Sequence, residues 1–339
     1  MILLNILIVT GVFFLLFYIL TYQYDFKIER KMRRVKTFPE VTYISKECNL
    51  FKKFTLDEIE KYINIEEKFL NSDCVEEKMR YILITPKEIK QGTPVLFLLH
   101  GIRDYPEDYI NRAFLIENYL TLREKELISD MIFVIPASGY NGESWYTNFF
   151  KDKKHKYEDY FMGDLYNEVK KLSPNGKIGI AGFSMGGYGA FKIGLHNPEK
   201  FDVIASFSGA VSLIRMSVNR RVMRIMKYLY IPKIFFNDMD KSLFIRIFSS
   251  WGWRILKQDP YSIIKVIEPE KLKGKKFYIS VGAEDKKPYL MFQQWLDIVG
   301  RLKKYEVDFI GKVYKDEVHT WEFIAKDLPN FLKFFNKNC

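Results

Sequence analysis

The 339-residue sequence predicts an α/β fold in which a mostly parallel sheet carries helices on both faces. Three observations predict it: short apolar runs recur along the chain, helix-length stretches separate them, and one run ends in a glycine-flanked serine that opens a helical stretch. The runs are MRYILIT at 79–85, VLFLLH at 95–100, MIFVIPAS at 131–138, KIGIAG at 177–182, VIASFSG at 203–209 and KFYISVG at 276–282. Their near-continuous apolarity suits strands buried on both faces, the condition of a parallel sheet. With 48% hydrophobic residues the chain can bury a full core, and its length suits one large domain.

Taken in order, residues 1–24 come first. Ile2 to Leu20 carry no charged side chain, and about 20 apolar residues suffice to cross a bilayer core of roughly 30 Å. A single-pass transmembrane anchor is therefore expected. Tyr18, Tyr22 and Tyr24 stand where an interfacial aromatic belt would lie, and the segment lacks the basic flank and small-residue cleavage site of a signal peptide. Lys27, Arg30, Lys31, Arg33 and Arg34 follow, which by the positive-inside rule puts the catalytic domain in the cytoplasm, the extracytoplasmic side being the alternative.

Residues 25–75 read as a basic linker and an edge helix, the latter announced by a capping box at Thr55–Glu58 and an amphipathic run ending near Leu70. Residues 76–339 form the α/β domain. Its pattern breaks at 211–257, where a basic, aromatic, mostly helical lid insertion intervenes. Cys48, Cys74 and Cys339 have the spacing of neither a metal knuckle nor a disulfide framework and read as buried or incidental thiols. The net charge of +11 suits nucleic acid, an anionic membrane surface or an acidic substrate. No nucleic-acid motif accompanies it, and no nucleic-acid partner is expected.

The chemistry starts at Gly182-Phe-Ser184-Met-Gly186, between the run KIGIAG and a helical stretch. Such a turn holds the hydroxyl above the sheet's end, and glycines fit where side chains would strike neighbouring backbone. A serine hydroxyl needs a base, and His319 is the one histidine of four that lies late in the chain after a strand-like run. The acid that would orient it is Asp285, in a G-x-x-D turn after KFYISVG, with Glu284 as the alternative. An oxyanion needs two preorganised donors, for which the amides of Met185 and Ile102 are the candidates. His100, before Gly101, is then structural.

These residues together resemble the esterase D group of α/β-hydrolases, which includes S-formylglutathione hydrolases, tributyrin and feruloyl esterases and the mycolyltransferases. The resemblance covers about residues 79–325, and its most specific runs are SWYTN at 144–148, YEDYFMGDL at 157–165 and GFSMGGYGAFKIGLHNPEKFDVIASFSGAV at 182–211. It implies the α/β-hydrolase fold, the roles just argued, and an acyl site lined by Trp145 and Tyr146.

Between Arg215 and Lys257, basic residues such as Arg220, Arg224, Arg246 and Arg254 interleave with Phe235, Phe244, Trp251 and Trp253; Asp238 and Asp240 are the acids there. Two readings stand: a lid that also lies on a membrane surface and admits lipid-like esters, or a helical cap whose aromatics pack on the domain. The expected activity is a serine esterase that hydrolyses a small-molecule or lipid carboxylic ester, or a thioester, through an acyl-enzyme, a chemistry that calls for no metal and no cofactor. Acyl transfer by the same residues and a non-catalytic membrane scaffold are the alternatives; the intact Ser184, Asp285 and His319 argue against the scaffold. Oligomeric state is left open.

Overall fold

The computed structural model describes residues 2–21, 27–45, 51–218, 220–237 and 240–339, with side chains in the first helix described from residue 5 to 19. Tyr22, Tyr24, Cys48 and Asp238 lie outside the described residues. Among the described residues, nine strands make one sheet: β1 (Val41–Ile44), β2 (Ile63–Leu70), β3 (Met79–Pro86), β4 (Val95–Leu99), β5 (Ile132–Pro136), β6 (Ile178–Phe183), β7 (Val203–Phe207), β8 (Lys276–Gly282) and β9 (Phe309–Tyr314). Their order is β1-β9-β8-β7-β6-β4-β5-β3-β2. Only β3 runs against its neighbours, pairing antiparallel with β2 and β5. Every residue of β4, β5, β6 and β7 is buried, as runs without polar alternation require. One apolar layer forms around Phe97, Tyr188, Phe191 and Trp295, the other around Tyr109, Tyr119, Phe207 and Trp321.

Three expectations for the N-terminal region are corrected. A helix forms over Ile2–Thr21, yet among the described residues no helix is long and apolar enough to cross a membrane. The single-pass anchor, the membrane localisation and the cytoplasmic orientation built on it are therefore not supported. The helix instead touches the insertion: Phe17 lies 5.7 Å from Phe235 between ring centres, and Arg221 Nη1 donates to the Ile19 carbonyl at 2.6 Å.

Residues 25–75 are also more than a linker and an edge helix. Helix Ile28–Val35 docks against the domain, where Lys31 Nζ meets the buried Asp297 at 2.8 Å, and β1 pairs with β9 at the sheet's edge. The capping box at Thr55 and Glu58 is present, but its helix stops at Tyr62. Ile63 to Leu70 continue as a strand paired along its full length with β3, because β-branched Ile63 and Ile65 suit a pleat and the cross-strand ladder outweighs a short amphipathic run.

The stretch at 211–257 contains helices Arg220–Met226 and Lys241–Phe248 and most of Gly252–Gln258. Its aromatics divide: Phe236, Phe244 and Phe248 are buried, whereas Tyr228, Tyr230, Trp251 and Trp253 are exposed. Several of its cations have partners inside the molecule. Arg215 and Arg220 both reach Asp297, and Arg246 stacks on Tyr140.

Candidate active site

β6 ends at Phe183 and helix Met185–His196 begins two residues later, so Ser184 alone makes the turn. Its φ of 56° and ψ of −116° are unusual for a side-chain-bearing residue and cost on the order of 1–3 kcal/mol. The backbone holds it there: Ser184 N donates to the Phe207 carbonyl, and its own carbonyl accepts from the amides of Tyr188 and Ala210, each at 3.1 Å. The flanking glycines are steric necessities. A Cβ on Gly186 would sit 2.0 Å from the Leu99 carbonyl oxygen, and one on Gly182 would sit 2.2 Å from that of Gly186. Met185 is the first helical residue, so its amide has no partner within the helix.

The ends of β6, β8 and β9 bring the three predicted residues together. His319, in the loop between β9 and helix Trp321–Asn338, has Nε2 2.8 Å from Ser184 Oγ and Nδ1 2.7 Å from Asp285 Oδ2. A carboxylate can only accept, so Nδ1 carries the proton and the Nε2 lone pair faces the serine hydroxyl. Asp285 is 4% exposed. Its amide donates to the Gly282 carbonyl at 3.2 Å, and its carbonyl accepts from Phe292 N at 2.8 Å, which fixes the acid turn. The alternative, Glu284, points outward to Lys286 at 3.0 Å. The Phe183 ring packs 4.8 Å from the His319 imidazole.

His100 is buried below the loop after β4. The Ser138 amide donates to its Nε2 at 3.0 Å, so Nδ1 carries the proton and donates to the Gly101 carbonyl at 2.8 Å. Burial pushes its pKa down to about 4, which keeps it neutral and structural. A Cβ on Gly101 would lie 3.4 Å from Ser184 Cβ, so this backbone passes close to the serine, with Ile102 next in line at the pocket wall. His155 pairs with Asp152 and His196 with Glu158, away from the serine.

Above Ser184 lies a pocket of about 120 Å³ lined by Ile102, Trp145, Met185 and, from the insertion, Met216, Leu243 and Phe244. Trp145 and Tyr146 both have left-handed backbone, φ 54° and 48°. The Trp145 ring faces the pocket between Tyr188 and Phe248, at 5.4 and 5.8 Å. The Tyr146 ring is buried outside the lining, and its hydroxyl donates to the His100 carbonyl at 3.2 Å. Sequence reasoning missed Met216, Leu243, Phe244, Tyr289 and Met291 in the lining. The signal for Met216, Leu243 and Phe244 was only that a basic, aromatic helical stretch follows the strand beside that of Ser184; Tyr289 and Met291 lie beyond that stretch. A larger opening of about 590 Å³ near Arg123, Asp130 and Asn336 contains none of the predicted site residues. Among the described residues, no group of three or more His, Cys, Asp or Glu side chains could hold a metal ion.

This arrangement sets one histidine between a serine hydroxyl and a buried carboxylate, beside a small pocket. A family model described as "Putative esterase" matches residues 72–333. An acetyl esterase of Caldicellulosiruptor saccharolyticus is 26% identical over 259 residues, 73% of this chain and 85% of that protein. Among solved structures, a ferulic acid esterase superposes with a TM-score of 0.63 at 19% identity, covering 81% of this chain and 98% of the other. An S-formylglutathione hydrolase from Agrobacterium tumefaciens superposes at 0.62 with 17% identity, covering 80% and 94%.

Proposed function

The chain belongs to this esterase family, and from that premise we propose that it is a serine esterase for short-acyl carboxylic esters, with Ser184 as nucleophile. One observation carries the reading: His319 lies within 2.8 Å of Ser184 Oγ on one side and 2.7 Å of Asp285 on the other. In the proposed reaction Ser184 Oγ attacks the ester carbonyl while its proton passes to His319 Nε2. Asp285 keeps the imidazole in the productive tautomer and stabilises the imidazolium. The amides of Met185 and Ile102 receive the developing oxyanion. His319 then protonates the departing alcohol, leaving an acyl-enzyme, and a water activated by the same histidine releases the acid.

The pocket supports a short acyl group. At about 120 Å³ it is far below the 300–1,000 Å³ of sites for larger ligands, and Leu243 and Phe244 are among its apolar lining. Turnover of p-nitrophenyl esters from acetyl to palmitoyl tests this, using the full chain and Ser184→Ala. The reading expects an optimum at two to four acyl carbons (~), by the size argument, and loss of about 10³-fold or more in Ser184→Ala. A palmitoyl optimum would overturn the short-acyl assignment.

A further inference from the structure

Helix Met185–His196 carries a lysine where an apolar residue would be expected. Lys192, two turns after Ser184, has a side chain with no exposed surface. Burying a lysine is costly unless every donor is used and the charge is matched. Its Nζ donates to the Tyr146 carbonyl at 2.7 Å and to Glu158 Oε2 at 2.8 Å, and lies 5.9 Å from the centre of the Tyr188 ring. Burial alone would raise the Glu158 pKa, but Lys192 and His196 reverse this and hold it down at about 2. Glu158 is thus a fixed anion. Its other oxygen meets His196 Nδ1 at 2.8 Å, and His196 Nε2 lies 3.1 Å from the Lys257 carbonyl, where the insertion ends.

The carbonyl that Lys192 holds belongs to the second of two consecutive left-handed residues. Trp145 walls the pocket, and Tyr146 supports His100 through its hydroxyl, next to Gly101 and Ile102. Two neighbouring strained residues persist only when their surroundings over-determine them. The bond from Lys192 to the Tyr146 carbonyl supplies part of that constraint from the nucleophile's own helix.

We propose that Lys192, fixed by Glu158, is a positioning residue that sets where the Trp145 wall and the Ile102 amide stand relative to Ser184, and so sets the acyl-size limit. The inference rests on the reading of Ser184 as nucleophile and of the Trp145 pocket as the acyl site. Removing the ammonium frees the Tyr146 carbonyl, the two residues relax, and the wall retreats.

The test compares the wild-type chain, Lys192→Met and the double variant Lys192→Met/Glu158→Gln. Each is assayed for thermal midpoint, fluorophosphonate labelling of Ser184, and kcat and KM on p-nitrophenyl acetate, butyrate and hexanoate. The double variant removes the buried charge left by the single one, so it regains stability while the Tyr146 carbonyl stays unheld. Both variants are expected to label, to lose roughly 10- to 100-fold in kcat on acetate, and to shift preference toward the longer esters. A double variant that labels and keeps the wild-type kcat and chain-length ratio would overturn the proposal. Wild-type chain that neither labels nor turns over any ester would overturn the underlying esterase reading instead.

Discussion

Two adjacent carboxylates, Glu284 and Asp285, are pointed opposite ways by their turn. Asp285 is turned inward to His319 and Glu284 outward to Lys286. Asp285→Asn should therefore lower kcat by roughly 10³- to 10⁴-fold, because the amide can present a donor to Nδ1 and favour the wrong tautomer. Glu284→Gln should stay within about twofold, since exposed ion pairs contribute little; steady-state kinetics on p-nitrophenyl acetate separates them. That Ser184, His319 and an acid at 284–285 come together was legible in the sequence, because their chain order and the strand–serine–helix spacing are set by local geometry. Between the neighbouring acids, the G-x-x-D turn favoured Asp285 over Glu284, and Asp285 is the one that meets His319. Lys192 was hidden: nothing in GAFKIGLHN says that a lysine amid apolar residues points into the protein.

His100 provides a pH-dependent test at the same scale. Its folded pKa, about 4, is below the unfolded value of about 6.5, so the unfolded chain binds the proton more readily. Its contribution to stability is present above about pH 6.5 and is lost as pH falls through 4. The span corresponds to something on the order of 3 kcal/mol. Thermal unfolding from pH 7 to 4 should show a falling midpoint, and a smaller slope in His100→Asn. A midpoint that is flat over that range would contradict this account of the residue.

Among the elements, the insertion has the most to say about substrate. Leu243 and Phe244, on helix Lys241–Phe248, line the pocket, and Phe244 packs on Phe236 and Phe248 at 5.5 and 4.7 Å between ring centres. Leu243→Ala should lengthen the preferred acyl chain by about two carbons at little cost in kcat on acetate, as opening one side-chain's space allows. Unchanged chain-length preference would remove this helix from the specificity account. The division of its aromatics into buried and exposed could not be read from the sequence, because basic and aromatic residues interleave without a clean helical period. The strand at 63–70 was missed for a related reason: a true capping box opens the helix, but the sheet edge it then meets is formed by β3, which comes later in the chain.

For the whole molecule, the alternation of strand and helix made the parallel sheet legible, while the attachment of the N-terminal region to that sheet was not. Lys31, Arg215 and Arg220 converge on Asp297, whose side chain is 3% exposed. This carboxylate therefore joins the N-terminal helix Ile28–Val35 and the start of the insertion to helix Met291–Lys304. Contacts so distant in sequence leave no periodic signal. Asp297→Asn should destabilise the chain by about 3 kcal/mol, because it leaves several cations at a buried site without their counter-charge. Urea unfolding measures this, and a change below about 1 kcal/mol would mean that the junction is incidental.

The central claim, that Ser184 is acylated during turnover, is tested most directly by intact-mass analysis of the full chain quenched at acid pH during reaction with p-nitrophenyl acetate. The account predicts a species heavier by one acetyl group, located on the Ser184 peptide and missing from Ser184→Ala. Acetate release at the wild-type rate from Ser184→Ala, or an acetyl group found on another side chain during turnover, would contradict it.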